Sequence, residues 1–135
     1  MKVALVRGKW HSVWESLACG YLYSYTKDLV QPEDYSFYDG YFDSDEEIIT
    51  GASEADIIGF SATTSQGPWC KRIATDIRRI NPAARLFIGG YGPSVCPGWY
   101  EDSFDGVVVG EGETAWSEII TSGATRNGVV MGPAI

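Results

Sequence analysis

The feature that most constrains this chain is a short apolar run that recurs four times and leads each time into small residues. Residues 2–6 (KVALV) run into Arg7 and Gly8, and 56–61 (DIIGFS) into Ala62, Thr63 and Thr64. Residues 85–88 (RLFI) run into Gly89 and Gly90, and 106–109 (GVVV) into Gly110. Short runs without polar alternation are strands covered on both faces, which is the pattern of a parallel sheet.

Between these runs the period lengthens to that of a helix. Ser12 to Glu15 has capping-box spacing, and Val13, Leu17, Ala18, Tyr21, Leu22 and Tyr25 share one stripe, so a first helix is expected there. Pro68 suits a first helical turn, Ile73, Ala74, Ile77 and Ile80 recur at helical spacing, and Asn81-Pro82 stops the segment. Residues 35–42 read as a further strand weakened by Gly40, 45–52 as a short acidic helix, and 113–121 as a closing helix with Gly123 as its terminator. Strand and helix alternation of this kind predicts one α/β domain, a five-stranded parallel sheet with helices on both faces. Residues 121–135 read as a tail or linker.

At 135 residues the chain suits a single domain and a single site. Its net charge of -8 repels a phosphate backbone, which argues against nucleic acid and anionic membranes as partners. The first apolar run is halted by Arg7 and Gly8, far short of a signal-peptide core or a spanning helix, so a cytoplasmic location is expected. Cys19, Cys70 and Cys96 are widely spaced and form no CxxC pair, which predicts reduced, mostly buried thiols.

In parallel sheets ligands bind outside the carboxyl ends of the strands, near the point where strand order reverses. The loops expected at that edge are rich in glycine and small hydroxyl residues: 8–11, 61–67, 89–94 and 110–114. Such residues let a large polar ligand approach the backbone. Gly110-x-Gly112-x-x-Ala115 has dinucleotide-fingerprint spacing, but Glu111 and Glu113 would face the pyrophosphate and the motif follows the last strand instead of the first. His11, the single histidine, has no partner in sequence that makes a catalytic arrangement. A loop-packed role and an axial metal ligand both remain open for it.

Residues 56–64 (DIIGFSATT), Ile88-Gly89-Gly90 with Pro93, and 107–113 (VVVGEGE) together resemble the cobalamin-binding domain found at the front of cobalamin-dependent radical SAM enzymes. The resemblance covers about residues 1–120. It includes the Ser-x-Leu-like element Ser61-Ala62-Thr63, separated by 25 residues from the Gly-Gly pair.

The resemblance implies a flavodoxin-like, doubly wound, Rossmann-like fold that buries the nucleotide tail of base-off cobalamin between the strand ends. Ser61, Thr63 and Thr64 would then lie by the tail, with Gln66 in the same loop. Gly89 and Gly90 would let the tail approach the backbone, flanked by Tyr91 and Pro93. Gly110, Glu111 and Gly112 would close the far side, and Gly8, Lys9, Trp10 and His11 would lie beneath the ring. Cobalamin carriers that ligate cobalt have Asp-x-His-x-x-Gly after the first strand, whereas residues 9–14 here read KWHSVW and keep only the histidine. The imidazole thus lacks the carboxylate that would orient it. His11 is expected not to ligate, with cobalt ligation retained as the alternative.

The Cys-x-x-x-Cys-x-x-Cys motif of a radical SAM core is missing from the sequence. The resemblance therefore implies that S-adenosylmethionine and a 4Fe-4S cluster act through a separate radical SAM domain or protein, this chain supplying a cobalt that takes and passes on methyl groups. Two rival readings use the same fold. One is an interaction domain without a corrin, with Trp69, Trp99 and Tyr100 as contact residues; the other is a flavin or nucleotide carrier.

Overall fold

All four apolar runs become parallel strands. The computed structural model of the chain describes residues 1–9, 17–110, 112–122 and 129–131. In it the runs are β1 (Val3–Arg7), β3 (Ile57–Ser61), β4 (Arg85–Gly89) and β5 (Gly106–Val109). With β2 (Tyr35–Asp39) and β6 (Val129–Met131) they form a sheet of order β2-β1-β3-β4-β5-β6 in which every neighbouring pair is parallel. Strand order reverses between β1 and β3, the switch point of a doubly wound sheet.

Two strands differ from the sequence reading. β2 ends at Asp39 instead of residue 42, because Asp39 turns the chain: its carboxylate accepts from the Tyr41 N–H at 2.8 Å, and its own N–H donates to the Asp43 carboxylate at 2.8 Å. Residues 121–135 were expected as a tail, yet residues 129–131 pair with β5 as a sixth strand and the preceding helix runs to Ser122. The open edge of β5 leaves backbone donors and acceptors to be satisfied, and a Val-Val-Met segment suits that ladder.

The helices are α1 (Leu17–Thr26), α2 (Asp45–Ala52), α3 (Gly67–Ile80), α4 (Tyr91–Val95) and α5 (Glu113–Ser122). A capping box forms at α2, where the Ser44 hydroxyl accepts from the Glu47 N–H and the Glu47 carboxylate accepts from the Ser44 N–H, each at 3.1 Å. The capping-box spacing at Ser12 to Glu15 lies outside the described residues. α3 carries Pro68 in its first turn and stops at Asn81, as its sequence predicts. α4 is a short helix in a segment whose glycine and proline read as loop.

Side chains alternate between the two faces of the sheet. Ala4, Val6, Ile58, Phe60, Leu86 and Ile88 meet α2 and α3 on one face, packing with Ile48, Cys70, Ile73 and Ile77. Val3, Leu5, Ile57, Phe87 and Val108 meet α1 and α5 on the other, packing with Leu22, Trp116, Ile119 and Ile120. Cys19 and Cys70 are buried and Cys96 is exposed, all three as free thiols. Tyr100 belongs to the core, while Trp99 is exposed and carries the Lys71 ammonium over its ring at 4.1 Å. Among the described residues no helix is long and apolar enough to cross a membrane.

Candidate functional site

Strand register sets the site. At the carboxyl end of the sheet, on the face covered by α1 and α5, Asp39, Arg7, Ser61 and Gly89 stand side by side on β2, β1, β3 and β4. The row runs from a charged pair to a bare glycine. Arg7 and Asp39 are joined through Nη1 at 3.2 and 3.0 Å, and both are buried. Cys19 of α1 sits beside Asp39, Arg7 and Ser61; burial, followed by the nearby Asp39 charge, pushes its thiol up to about 12.

One step deeper on the same face, β3 carries Gly59 opposite Phe87 of β4. A hollow of about 170 Å³, bordered by Gly59 and by Gly89, which lacks a side chain, opens between the sheet and α1 and α5. Its walls include Leu5, Leu22, Phe87, Val108 and Trp116, and Ser61, Gly89, Gly90, Gly110 and Gly112 also border it. Trp116 forms part of this lining with its ring against Gly59, where an added Cβ would lie 2.6 Å from Cη2. Its indole N–H donates to the Tyr35 hydroxyl at 2.9 Å, and that oxygen is 2.7 Å from Thr26 Oγ1. Thr26 donates its proton to the Leu22 carbonyl at 2.7 Å, so Tyr35 must donate to Thr26. Trp116, Tyr35 and Thr26 thus form a directed chain across α5, β2 and α1. Burial raises the Tyr35 hydroxyl above its ordinary range, which keeps it protonated as the donor.

A second hollow of about 220 Å³ lies next to the first and shares Ser61 and Gly90 with it. Arg7, Thr63 and Gln66 bring polar groups to its border, together with Tyr91. Gly90 forms the divide with φ of 112°, and an added Cβ would lie 2.5 Å from the Ala62 carbonyl oxygen. Only glycine meets both demands without strain.

The predicted site residues therefore fall into distinct places. Gly8 joins the rim by donating its N–H to the Ser61 carbonyl at 2.9 Å. Lys9 turns away toward α2, with Nζ 3.4 Å from the Gly40 carbonyl oxygen and 3.8 Å from Asp45. Ser61, Thr63, Gln66, Gly89, Gly90, Tyr91, Gly110 and Gly112 border one or both hollows. Pro93 is buried within α4 and borders neither. Thr64 begins the short 3-10 turn Thr64–Gln66. Trp10, His11 and Glu111 lie outside the described residues. Among the described residues no three His, Cys, Asp or Glu side chains converge into a metal-holding group.

Sequence reasoning missed the apolar wall, above all Gly59 and Trp116. The available signal was the glycine inside an otherwise apolar strand, which marks a close approach by another group. The resulting arrangement suits a flat apolar ring with a polar substituent: an engineered apolar cavity of about 150 Å³ accepts benzene, and this one also opens to a polar rim.

Residues 3–120 match the B12 binding domain family. No curated protein matches the chain.

Proposed function

Since this chain belongs to the B12 binding domain family, we propose that it holds base-off cobalamin at the carboxyl ends of its strands, with the nucleotide tail entering the glycine-walled hollow. The observation that carries this reading is the apolar cavity between Gly59, Gly89 and Trp116. Its volume of about 170 Å³ suits an aromatic ring, and it borders the rim through which a tethered base would enter.

Ser61 offers a hydroxyl at the mouth, and Gly89, Gly90, Gly110 and Gly112 let the tail run close to the backbone. The corrin would rest over the row formed by Arg7, Ser61 and Gly89, with Gly8 beneath it and Tyr91 and Thr63 at its margin. His11 follows β1 in sequence and, in this reading, does not ligate cobalt.

The cofactor supplies a cobalt able to accept and hand on a methyl group. The chain's own residues bind the tail, orient the ring and shield its lower side from water. We assign the methyl donor as S-adenosylmethionine and the partner as a radical SAM domain or protein with a 4Fe-4S cluster. The order of the sequence motifs supports that assignment.

The test is to mix the purified chain with hydroxocobalamin and pass it through a desalting column. Retention of the corrin absorption at about one equivalent, with the spectrum of displaced base, is the expected result. Passage of all the cobalamin into the small-molecule fraction overturns the reading. An unchanged spectrum for His11→Ala would establish that this histidine is not a ligand.

A further inference from the structure

We propose that Gln66 recognises an uncharged, hydrogen-bond-accepting oxygen of the bound corrinoid; this rests on the cobalamin reading above and adds a specific contact to it. Gln66 ends the Thr64–Gln66 turn that leads into α3 and is only 2% exposed. Its Oε1 accepts from the Thr63 N–H at 3.0 Å. A backbone N–H can only donate, so this bond fixes which end of the amide faces Thr63 and leaves Nε2 as the other end. That nitrogen is buried and has no hydrogen-bond partner among the described residues.

The position is structurally committed. Gly8 passes so close that an added Cβ there would lie 2.6 Å from Gln66 Oε1 and 2.8 Å from its Cβ. The side chain is thus confined between the loop after β1 and its own turn, and it borders the second hollow. Buried amide donors are almost always paired, so a lone one at the edge of a hollow calls for a partner that enters it.

The hollow's charge selects the kind of acceptor. Among the described residues Arg7 is the only charged side chain bordering it, and Asp39 pairs with Arg7 within the same row. The described walls thus set the Arg7 charge against that of Asp39, and a neutral oxygen suits them better than an anion. Cobalamin offers two neutral sources: the carboxamide carbonyls around the corrin ring, and the ribose of the nucleotide tail.

Equilibrium dialysis of the full chain against cobalamin and against cobinamide, which lacks the nucleotide tail, tests the proposal. Parent, Gln66→Leu and Gln66→Glu are compared; the glutamate keeps an oxygen for the Thr63 N–H and so preserves the turn. Both variants are expected to bind cobalamin roughly 3- to 10-fold more weakly than the parent, the loss typical of one hydrogen bond. An equal loss for cobinamide places the oxygen on the corrin periphery, and an unchanged cobinamide affinity places it in the tail. Parental affinity for both ligands in both variants overturns the role of Gln66. Failure of the parent to retain either ligand overturns the cobalamin reading instead.

Discussion

The ring of Trp116 occupies the place that a side chain at Gly59 would take, with the ideal Cβ of residue 59 only 2.6 Å from Cη2 and 2.8 Å from Cζ3. The indole is tethered at the other end by its bond to Tyr35, so it has little freedom to withdraw. Gly59→Ala should therefore destabilise the fold by about 1 to 3 kcal/mol, the usual cost of overpacking a filled core. Urea denaturation followed by far-UV circular dichroism measures this. A stability equal to that of the parent would show that the ring moves freely.

The same tether makes a second prediction. Tyr35→Phe removes the acceptor of a buried indole N–H, which should cost about 1 to 3 kcal/mol. Tyr35→Phe combined with Trp116→Phe removes both polar groups and should recover part of that loss in the polar term, although the smaller ring leaves a void. A double-mutant cycle from chemical denaturation separates the two contributions.

Thiol chemistry should distinguish the three cysteines sharply. Burial pushes Cys19 up to about 12, and burial raises Cys70 further, whereas Cys96 is exposed. At pH 8 a thiol reagent should label Cys96 alone in the folded chain and all three in denaturant, as mass spectrometry of the labelled peptides would reveal.

The buried thiols also set an alkaline limit. An unfolded Cys19 loses its proton near its ordinary value of 9.0, while the folded one keeps it until about 12. Unfolding then releases a proton, so stability is retained below about pH 9 and falls as pH rises toward 12. Cys70 acts in the same direction. Cys19→Ser should flatten this alkaline decline in denaturation curves taken across that range.

Gly90→Ala should impair both the fold and the site, because it strains a backbone at φ 112° and drives a methyl group toward the Ala62 carbonyl. A loss of about 1 to 3 kcal/mol in stability is expected. Cobalamin retention by the folded fraction should fall at the same time, measured by absorbance after desalting.

The sheet was legible because β1, β3, β4 and β5 need no long-range information: an apolar run ending in glycine or serine announces a covered strand. α3 was equally plain from Pro68, its apolar spacing and Asn81-Pro82. β6 was not, since Val129 to Met131 becomes a strand only because β5 offers an open edge. Arg7 read simply as the residue that ends an apolar run, and nothing local identifies Asp39, 32 positions away, as its partner. The glycine loops of the rim were legible as a ligand edge. The cavity wall was not, because Tyr35 and Trp116 are 81 residues apart and meet only through the fold.

The buried pair of Arg7 and Asp39 also bears on how reliably the chain finds its strand alignment. A shift of β2 by two residues against β1 would preserve the alternation of faces, so hydrophobic pattern alone would tolerate it. Either such shift sets Phe37 or Tyr41 opposite Arg7 in place of Asp39. Breaking a buried ion pair by displacing one partner costs about 3 to 5 kcal/mol, comparable with much of the net stability of a small domain. One ion pair at the end of the sheet thus helps to specify the alignment of β2: forms shifted by two residues lose it, and with it the row from which a ligand rim is built.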